Sequence, residues 1–281
     1  ENTADTVGAT QLRVEHISLN SVGNLVTLSF LGKDSISYLK TFNVDQLVFD
    51  NFESFIFEKK PSDQLFDSVN SSLMNNYLKS MMVGLSAKVF RTCHATRMLS
   101  SNLDMFDVDN LDVKKELKKE SDPIKKNKLL SKLANEHYKS SLAKVAELCN
   151  HQKQVSKTYN DSVVRLKNKI KELQKIKKDL MTENKTYDPD DTKDAKKIQS
   201  NENKITKNIE RIKQLKKQMT ERDSTKTLNL GTSKTNYLDP RTSMLYCKKF
   251  DIPISQVFSN TLLERFKWAI DETNINEHIH S

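Results

Sequence analysis

Apolar and polar positions change their period along this chain, and the change divides it into stretches. Over the first 42 residues the apolar positions form short, sheet-like runs. Residues 11–19 carry Leu12, Val14 and then Ile17, Ser18 and Leu19, and residues 25–31 and 36–39 form two more runs. Gly32-Lys33-Asp34-Ser35 between the last two reads as a hairpin turn that holds Lys33 at an exposed tip. From Pro61 the period lengthens. Leu65, Val69, Leu73, Tyr77 and Met81 recur every four residues, which predicts a helix, and a second is predicted over 86–106 with Val89, Phe90 and Leu99 in the core. Residues 107–121 are acidic, then lysine-rich, and read as a loop. Ser121-Asp122-Pro123 is a strong helix start, and that helix should reach Cys149 with Leu129, Leu133, Leu142, Val145 and Leu148 inward, ending near Asn150-His151.

A narrow apolar stripe follows. Val155, Tyr159, Val163, Leu166, Ile170, Leu173, Ile176 and Leu180 step by threes and fours, Asp188-Pro189-Asp190-Asp191 interrupts, and Ile198, Ile205, Ile209, Ile212, Leu215 and Met219 resume. Two helices with narrow stripes and lysine-rich outer faces predict an antiparallel coiled coil. Each arm of about 28 residues would run roughly 40 Å, so it is expected to project from the globular part. Two further helices are predicted near 239–250 and 259–270, with Trp268 packing the last onto the core. The fold class is α+β, mostly α, with a small N-terminal β-hairpin region. The expected domains are a core over 1–152, a coiled-coil linker over 153–226 and a small helical C-terminal domain over 227–281.

Charge sharpens this division. The net charge is +9, and 21 Lys and Arg against 12 Asp and Glu fall within residues 153–226, leaving 25 of each sign elsewhere. All the excess therefore lies on the hairpin, which favours a polyanion running past it; the plainer alternative is a solvated helical face, which charge-rich helices usually are. No apolar leader and no long apolar run appear, so neither secretion nor a membrane span is expected. The three cysteines, Cys93, Cys149 and Cys247, are far apart and outside any metal-ligand spacing, which predicts a reducing compartment and no zinc site. Phosphate loops of the GxxxxGK[ST] and GxGxxG types and HExxH are absent, and His278 and His280 form only a weak metal signal. No cofactor is expected.

What remains is cations and a tyrosine. Near the C-terminus the chain reads Ser233-Lys234-Thr235-Asn236-Tyr237-Leu238-Asp239-Pro240-Arg241. A phenol of pKa about 10 attacks phosphorus only where cations surround the phosphate. With it stand Asp5-Thr6-Val7-Gly8, Leu12-Arg13-Val14-Glu15-His16, Phe30-Leu31-Gly32-Lys33-Asp34-Ser35, Ala87-Lys88-Val89-Phe90-Arg91-Thr92 and Leu148-Cys149-Asn150-His151-Gln152. In order, spacing and intervening hairpin, these resemble the successive motifs of eukaryotic nuclear DNA topoisomerase I, the type IB enzymes, over nearly the whole chain.

The resemblance implies ATP-independent relaxation of supercoiled duplex DNA in the nucleus, by transient cleavage of one strand through a 3′-phosphotyrosyl intermediate, strand rotation and religation. Tyr237 is then the nucleophile. Arg91 and His151 hydrogen-bond the non-bridging oxygens, and Lys33 reaches the minor groove and protonates the leaving 5′-oxygen. By motif position Thr6, Asn75, Ser86, Lys88 and Asn236 also touch DNA near the cut, and Lys169 meets the downstream duplex. Asp34 and Asn236 line the pocket in which the family's planar poison, camptothecin, stacks. The expected partners are double-stranded DNA, with the protein monomeric on it, and the N-terminal core lobe of the same enzyme. The family carries a further catalytic arginine just upstream of its Asp5-Thr6-Val7-Gly8 motif, so the chain is expected to be a C-terminal fragment, nearly inactive alone.

Taken singly, these residues have plainer readings. Tyr237 after a hairpin reads as packing, Lys33 as a turn lysine, Arg91 as a surface residue, and His151 as a helix C-terminal cap. A tyrosine recombinase shares the Lys88–Arg91 spacing but has neither the long linker nor the Leu-Asp-Pro-Arg run. A non-catalytic basic coiled-coil DNA-binding module explains the charge but not the set Lys33, Arg91, His151 and Tyr237.

Overall fold

The computed structural model describes residues 5–32 and 35–273. Among them the chain is mostly helical, with one three-stranded antiparallel sheet near the N-terminus. It divides into two compact units, residues 1–150 with 231–281, and residues 151–230.

In the first unit, β1 (Ile17–Asn20), β2 (Leu25–Leu31) and β3 (Ser37–Asn43) pair in sequence order. Leu31 opposes Ser37, and the Gly32 N–H donates to the Ile36 carbonyl at 2.8 Å, closing the β2–β3 turn. Lys33 and Asp34, between Gly32 and Ser35 in the sequence, lie outside the described residues. The alternating run over 11–19 is only partly a strand. Residues Ala9–Gln11 and Val14–His16 form 3₁₀ turns, because the Arg13 N–H is taken by His16 Nδ1 at 3.0 Å and the Val14 N–H turns to the Asp63 carbonyl. Val7, Leu12 and Leu65 form a small core there, packed by Phe30, Phe52 and Phe66.

Helix α1 (Gln46–Ile56) follows, in a stretch for which the sequence pattern predicts no element. Helix α2 (Ser71–Met81) starts ten residues later than Pro61 suggests. Its true start is Asn70, whose Oδ1 accepts the Leu73 N–H at 2.9 Å. Helix α3 (Ala87–Asp104) buries Ala95, Leu99 and Leu103, but Val89 and Phe90 are exposed, contrary to their predicted core position. Helix α4 (Leu111–Leu117) replaces the predicted loop, capped by the Asn110 Oδ1 and anchored by buried Leu117.

Helix α5 (Pro123–Leu148) begins at the Asp122-Pro123 signal, where Asp122 Oδ1 accepts the Ile124 N–H at 2.9 Å. It buries Ala134, Tyr138, Leu142 and Val145, whereas Leu148 is exposed, not inward as expected. Helices α8 (Leu230–Asn236), α9 (Pro240–Lys249), α10 (Asn260–Arg265) and α11 (Lys267–Thr273) complete the unit. The last predicted helix is thus two short ones, broken at Phe266. Trp268 is 47 % exposed and lies under the Arg241 guanidinium at 5.4 Å, so it does not anchor the helix in the core.

A seam of aromatic and hydroxyl contacts surrounds α9. The Tyr246 ring packs at a tilt against Phe250, and its hydroxyl donates to the Ala134 carbonyl at 3.2 Å. The hydroxyls of Tyr138 and Ser243 share a 3.0 Å hydrogen bond in the interior. Burial pushes the Tyr138 phenol up and the Cys247 thiol to about 12.

The second unit is a two-helix hairpin. Helix α6 (Lys157–Glu183) and α7 (Thr192–Thr225) pack antiparallel, with Ile170 and Leu215 buried. At one end the Tyr159 hydroxyl donates to Asp223 at 2.8 Å, and near the other Asn201 donates to Asn184 at 2.9 Å from a buried position. Extended segments pair beside the helices, where the Asn229 N–H donates to the His151 carbonyl at 2.7 Å and the Lys153 N–H to the Thr227 carbonyl at 2.8 Å. Among the described residues no helix is long and apolar enough to cross a membrane, and no group of His, Cys, Asp and Glu has a metal-binding arrangement.

Candidate active site

The first unit gathers two cations around one aromatic ring. Lys88 and Arg91 are three residues apart on α3, so they share a helix face. The Arg91 guanidinium carbon lies 4.8 Å from the centre of the Tyr237 ring, and Lys88 Nζ lies 5.7 Å from it. Both distances are within the range of a cation–π contact. Arg91 Nη2 also donates to the Cys149 carbonyl. Cys149 closes α5, with its N–H on the Val145 carbonyl at 3.0 Å, and Asn150 after it has a left-handed φ of 51°. The end of α5 therefore fixes the arginine head. A guanidinium has five donors, so one bond to Cys149 leaves others for an incoming anion.

The amino end of α3 is capped from another helix. Ser86 makes no side-chain cap bond, and Asn75 of α2 places its Oδ1 on the Ala87 N–H at 3.1 Å while its Nδ2 donates to the Ser71 carbonyl at 2.9 Å. Asn75 thus ties α2 to the helix that carries Lys88 and Arg91. It also lines a cavity of about 710 Å³, together with Gly8, Gln11, Gln64, Asn70 and Phe90.

Tyr237 is half-buried in the two-residue link between α8 and the α9 cap. Its N–H donates to the Ser233 carbonyl at 3.1 Å, and Leu238 beside it is buried. Asp239 then caps α9, accepting the Arg241 N–H at 2.9 Å, and its own N–H donates to Thr96 Oγ1 of α3 at 3.1 Å. The Arg241 guanidinium bonds both Asp239 and Glu272, and it holds the Asp239 carboxyl below the usual carboxylate range. On α8, Lys234 Nζ donates to the Val257 carbonyl at 2.5 Å, and its desolvation lowers the ammonium pKa.

Of the expected site residues, Arg91, Lys88 and Tyr237 come together, with Ser86 and Asn75 at the start of the same α3. Asn236 is exposed next to Tyr237. Thr6 is exposed beside Val7, whose N–H donates to the Leu31 carbonyl at the end of β2. His151 is buried and opens the second unit, and Lys169 is exposed on α6. Lys33 and Asp34 lie outside the described residues, as do His278 and His280. Thr96, the Cys149 carbonyl and Lys234 are contacts the sequence reading missed. A threonine within a helix and a backbone carbonyl carry no sequence signal.

Two family models and a set of curated relatives match this chain. The family model described as eukaryotic DNA topoisomerase I, catalytic core, matches residues 1–184, and one described as the C-terminal topoisomerase domain matches residues 209–277. Curated relatives include DNA topoisomerase 1 of Drosophila melanogaster, 39 % identical over 98 % of this chain and 26 % of that protein. DNA topoisomerase 1 of Homo sapiens is 38 % identical over 96 % of this chain and 34 % of its own length. The mitochondrial DNA topoisomerase I of Rattus norvegicus is 36 % identical over 96 % of this chain and 44 % of its own length. The chain spans between about a quarter and a third of the length of the first of these relatives.

Proposed function

The chain belongs to the eukaryotic DNA topoisomerase I family, and on that premise we propose that it supplies the nucleophile and most of the transition-state donors of a type IB topoisomerase acting on duplex DNA. The observation that carries the reading is the pair of cations, Arg91 and Lys88, held over the ring of Tyr237.

In this reading Tyr237 Oη attacks a backbone phosphorus. A P–O bond to the tyrosine forms as the bond to the 5′-oxygen breaks, leaving a 3′-phosphotyrosyl ester. The phenol gives up its proton to solvent, and Lys33 gives one to the departing 5′-oxygen. Negative charge builds on the non-bridging oxygens, where Arg91 and His151 donate. The cut strand then rotates, and the 5′-hydroxyl returns by the reverse path. One ester replaces another of similar energy, so the cycle runs without ATP. Thr6, Ser86, Lys88, Asn75 and Asn236 contact the backbone near the cut, Lys169 the downstream duplex, and Asp34 with Asn236 the space where a planar inhibitor stacks.

We assign residues 1–152 to the catalytic core, 153–226 to a coiled-coil linker and 227–281 to the C-terminal domain. The protein acts as a monomer, together with the N-terminal core lobe that supplies a further arginine. Its expected compartment is the nucleus, and the mitochondrial relative makes fractionation of cells the direct check.

Relaxation of a supercoiled plasmid without ATP or Mg²⁺ tests the activity, in the full protein that carries this chain. Wild type should relax it and Tyr237→Phe should not, while duplex affinity stays within about twofold. Relaxation that persists in Tyr237→Phe would remove the tyrosine from the chemistry.

A further inference from the structure

The two parts of the site that must meet at phosphorus come from different elements. The cations lie on α3, and the tyrosine lies in the short link between α8 and α9. On the tyrosine side, the α8 end fixes the Tyr237 N–H through Ser233. Two residues on, the Asp239 N–H reaches across to Thr96 Oγ1 on α3. Thr96 sits five residues after Arg91, about 7.5 Å along the same rigid helix.

We propose that Thr96 is a positioning residue for strand cleavage: its hydroxyl oxygen ties the backbone beside Tyr237 to the helix that carries Arg91 and Lys88, setting the distance between nucleophile and phosphate donors. The inference rests on the strand-cleavage reading above and adds to it a residue that touches neither DNA nor the reacting atoms. Asp239 is already fixed toward α9 by its carboxylate, which accepts the Arg241 N–H and pairs with the Arg241 guanidinium. Its amide is therefore a backbone point at which the link is registered against α3, beside the Tyr237 ring contact with Arg91 and Lys88, and a side-chain oxygen at position 96 is the acceptor. Reacting groups displaced by about 1 Å lose on the order of 10²-fold in rate. Removing this acceptor should therefore slow chemistry without weakening DNA binding.

The test compares wild type, Thr96→Val and Thr96→Ser in the full protein. Single-turnover formation of the covalent adduct is followed on a duplex whose religation is blocked, alongside duplex affinity and amide exchange of Asp239. Thr96→Val keeps the shape and removes the acceptor. Adduct formation should slow by roughly 10- to 100-fold, with affinity unchanged within about twofold. Thr96→Ser restores the oxygen and should recover the rate to within about threefold of wild type. A helix-packing role would be rescued by the shape of valine and not by the hydroxyl of serine, the opposite pattern.

In wild type the Asp239 amide should exchange at least about tenfold more slowly than an unstructured amide, and this protection should be lost in Thr96→Val. An unprotected Asp239 amide in wild type overturns the proposal without any variant. So does a Thr96→Val enzyme as fast as wild type, or a Thr96→Ser enzyme as slow as Thr96→Val. A wild-type protein that forms no adduct overturns the strand-cleavage reading itself, and the role of Thr96 with it.

Discussion

Among the described residues Arg91 meets partners of different kinds, the Cys149 carbonyl through Nη2 and the Tyr237 ring, whose centre lies 4.8 Å from its guanidinium carbon. A guanidinium is suited to this because its donors lie in a plane and its faces stay open to an aromatic ring. Replacing Arg91 with lysine keeps the charge but not the fork, and should lower cleavage by on the order of 10²-fold in a single-turnover assay. Recovery to near wild-type rate would mean that charge alone suffices. Lys33→Ala should lower cleavage by a similar factor with little change in DNA affinity, as loss of a general acid does. Equal losses in rate and affinity would make Lys33 a binding residue instead. The cysteines give a simple check on the packing. Cys93 is exposed on α3, whereas Cys149 and Cys247 are buried and their thiols are pushed up by desolvation. An aromatic disulfide reagent at neutral pH should titrate one thiol quickly in the native protein and the other two only on unfolding. Tyr237 and Arg91 were legible in the sequence through the motifs that surround them. Thr96 and the Cys149 carbonyl were not, because their roles arise from tertiary contacts that local pattern does not encode.

At the scale of elements, α3, α6 and α7 were readable from apolar periodicity, and the starts of two other helices from chemistry at their ends. Asp122-Pro123 and Asp239-Pro240 both place a side-chain acceptor and a preset φ at a helix start, and both open helices where the signals stand. Helix α4 was hidden because its apolar anchor is a single leucine, Leu117, among lysines. Val89 and Phe90 have core-like spacing yet are exposed on α3, since periodicity shows a face without showing whether anything covers it. The α9 cap gives a test with a sign. Arg241 holds the Asp239 carboxyl below its ordinary range, so ionised Asp239 stabilises the fold above the unfolded value of about 3.9. That contribution disappears as pH falls through the lower folded value. Asp239→Asn should flatten the stability profile below about pH 4, and Asp239→Ala should cost about 1 kcal/mol at neutral pH through loss of the cap. Urea denaturation across this range reads both, and an unchanged acid slope in Asp239→Asn would place the titration elsewhere.

For the whole molecule, the question is how charge is divided between the units. The net +9 is carried over residues 153–226, which include both α6 and α7. If this stretch follows the DNA backbone, shortening the hairpin should leave cleavage within about threefold of wild type. The slope of log affinity against log salt should meanwhile fall by about 0.9 for each phosphate contact removed. Abolished cleavage would make the hairpin part of the site. Tyr237 as the nucleophile is the central claim, and trapping tests it most directly. A duplex oligonucleotide with religation blocked is incubated with the full protein, without ATP or metal ions, and the adduct is digested and mapped by mass spectrometry. The account requires a nucleotide linked through its 3′-phosphate to the peptide containing Tyr237, absent in Tyr237→Phe. An adduct on any other residue, or none from a protein that binds the duplex, would contradict it.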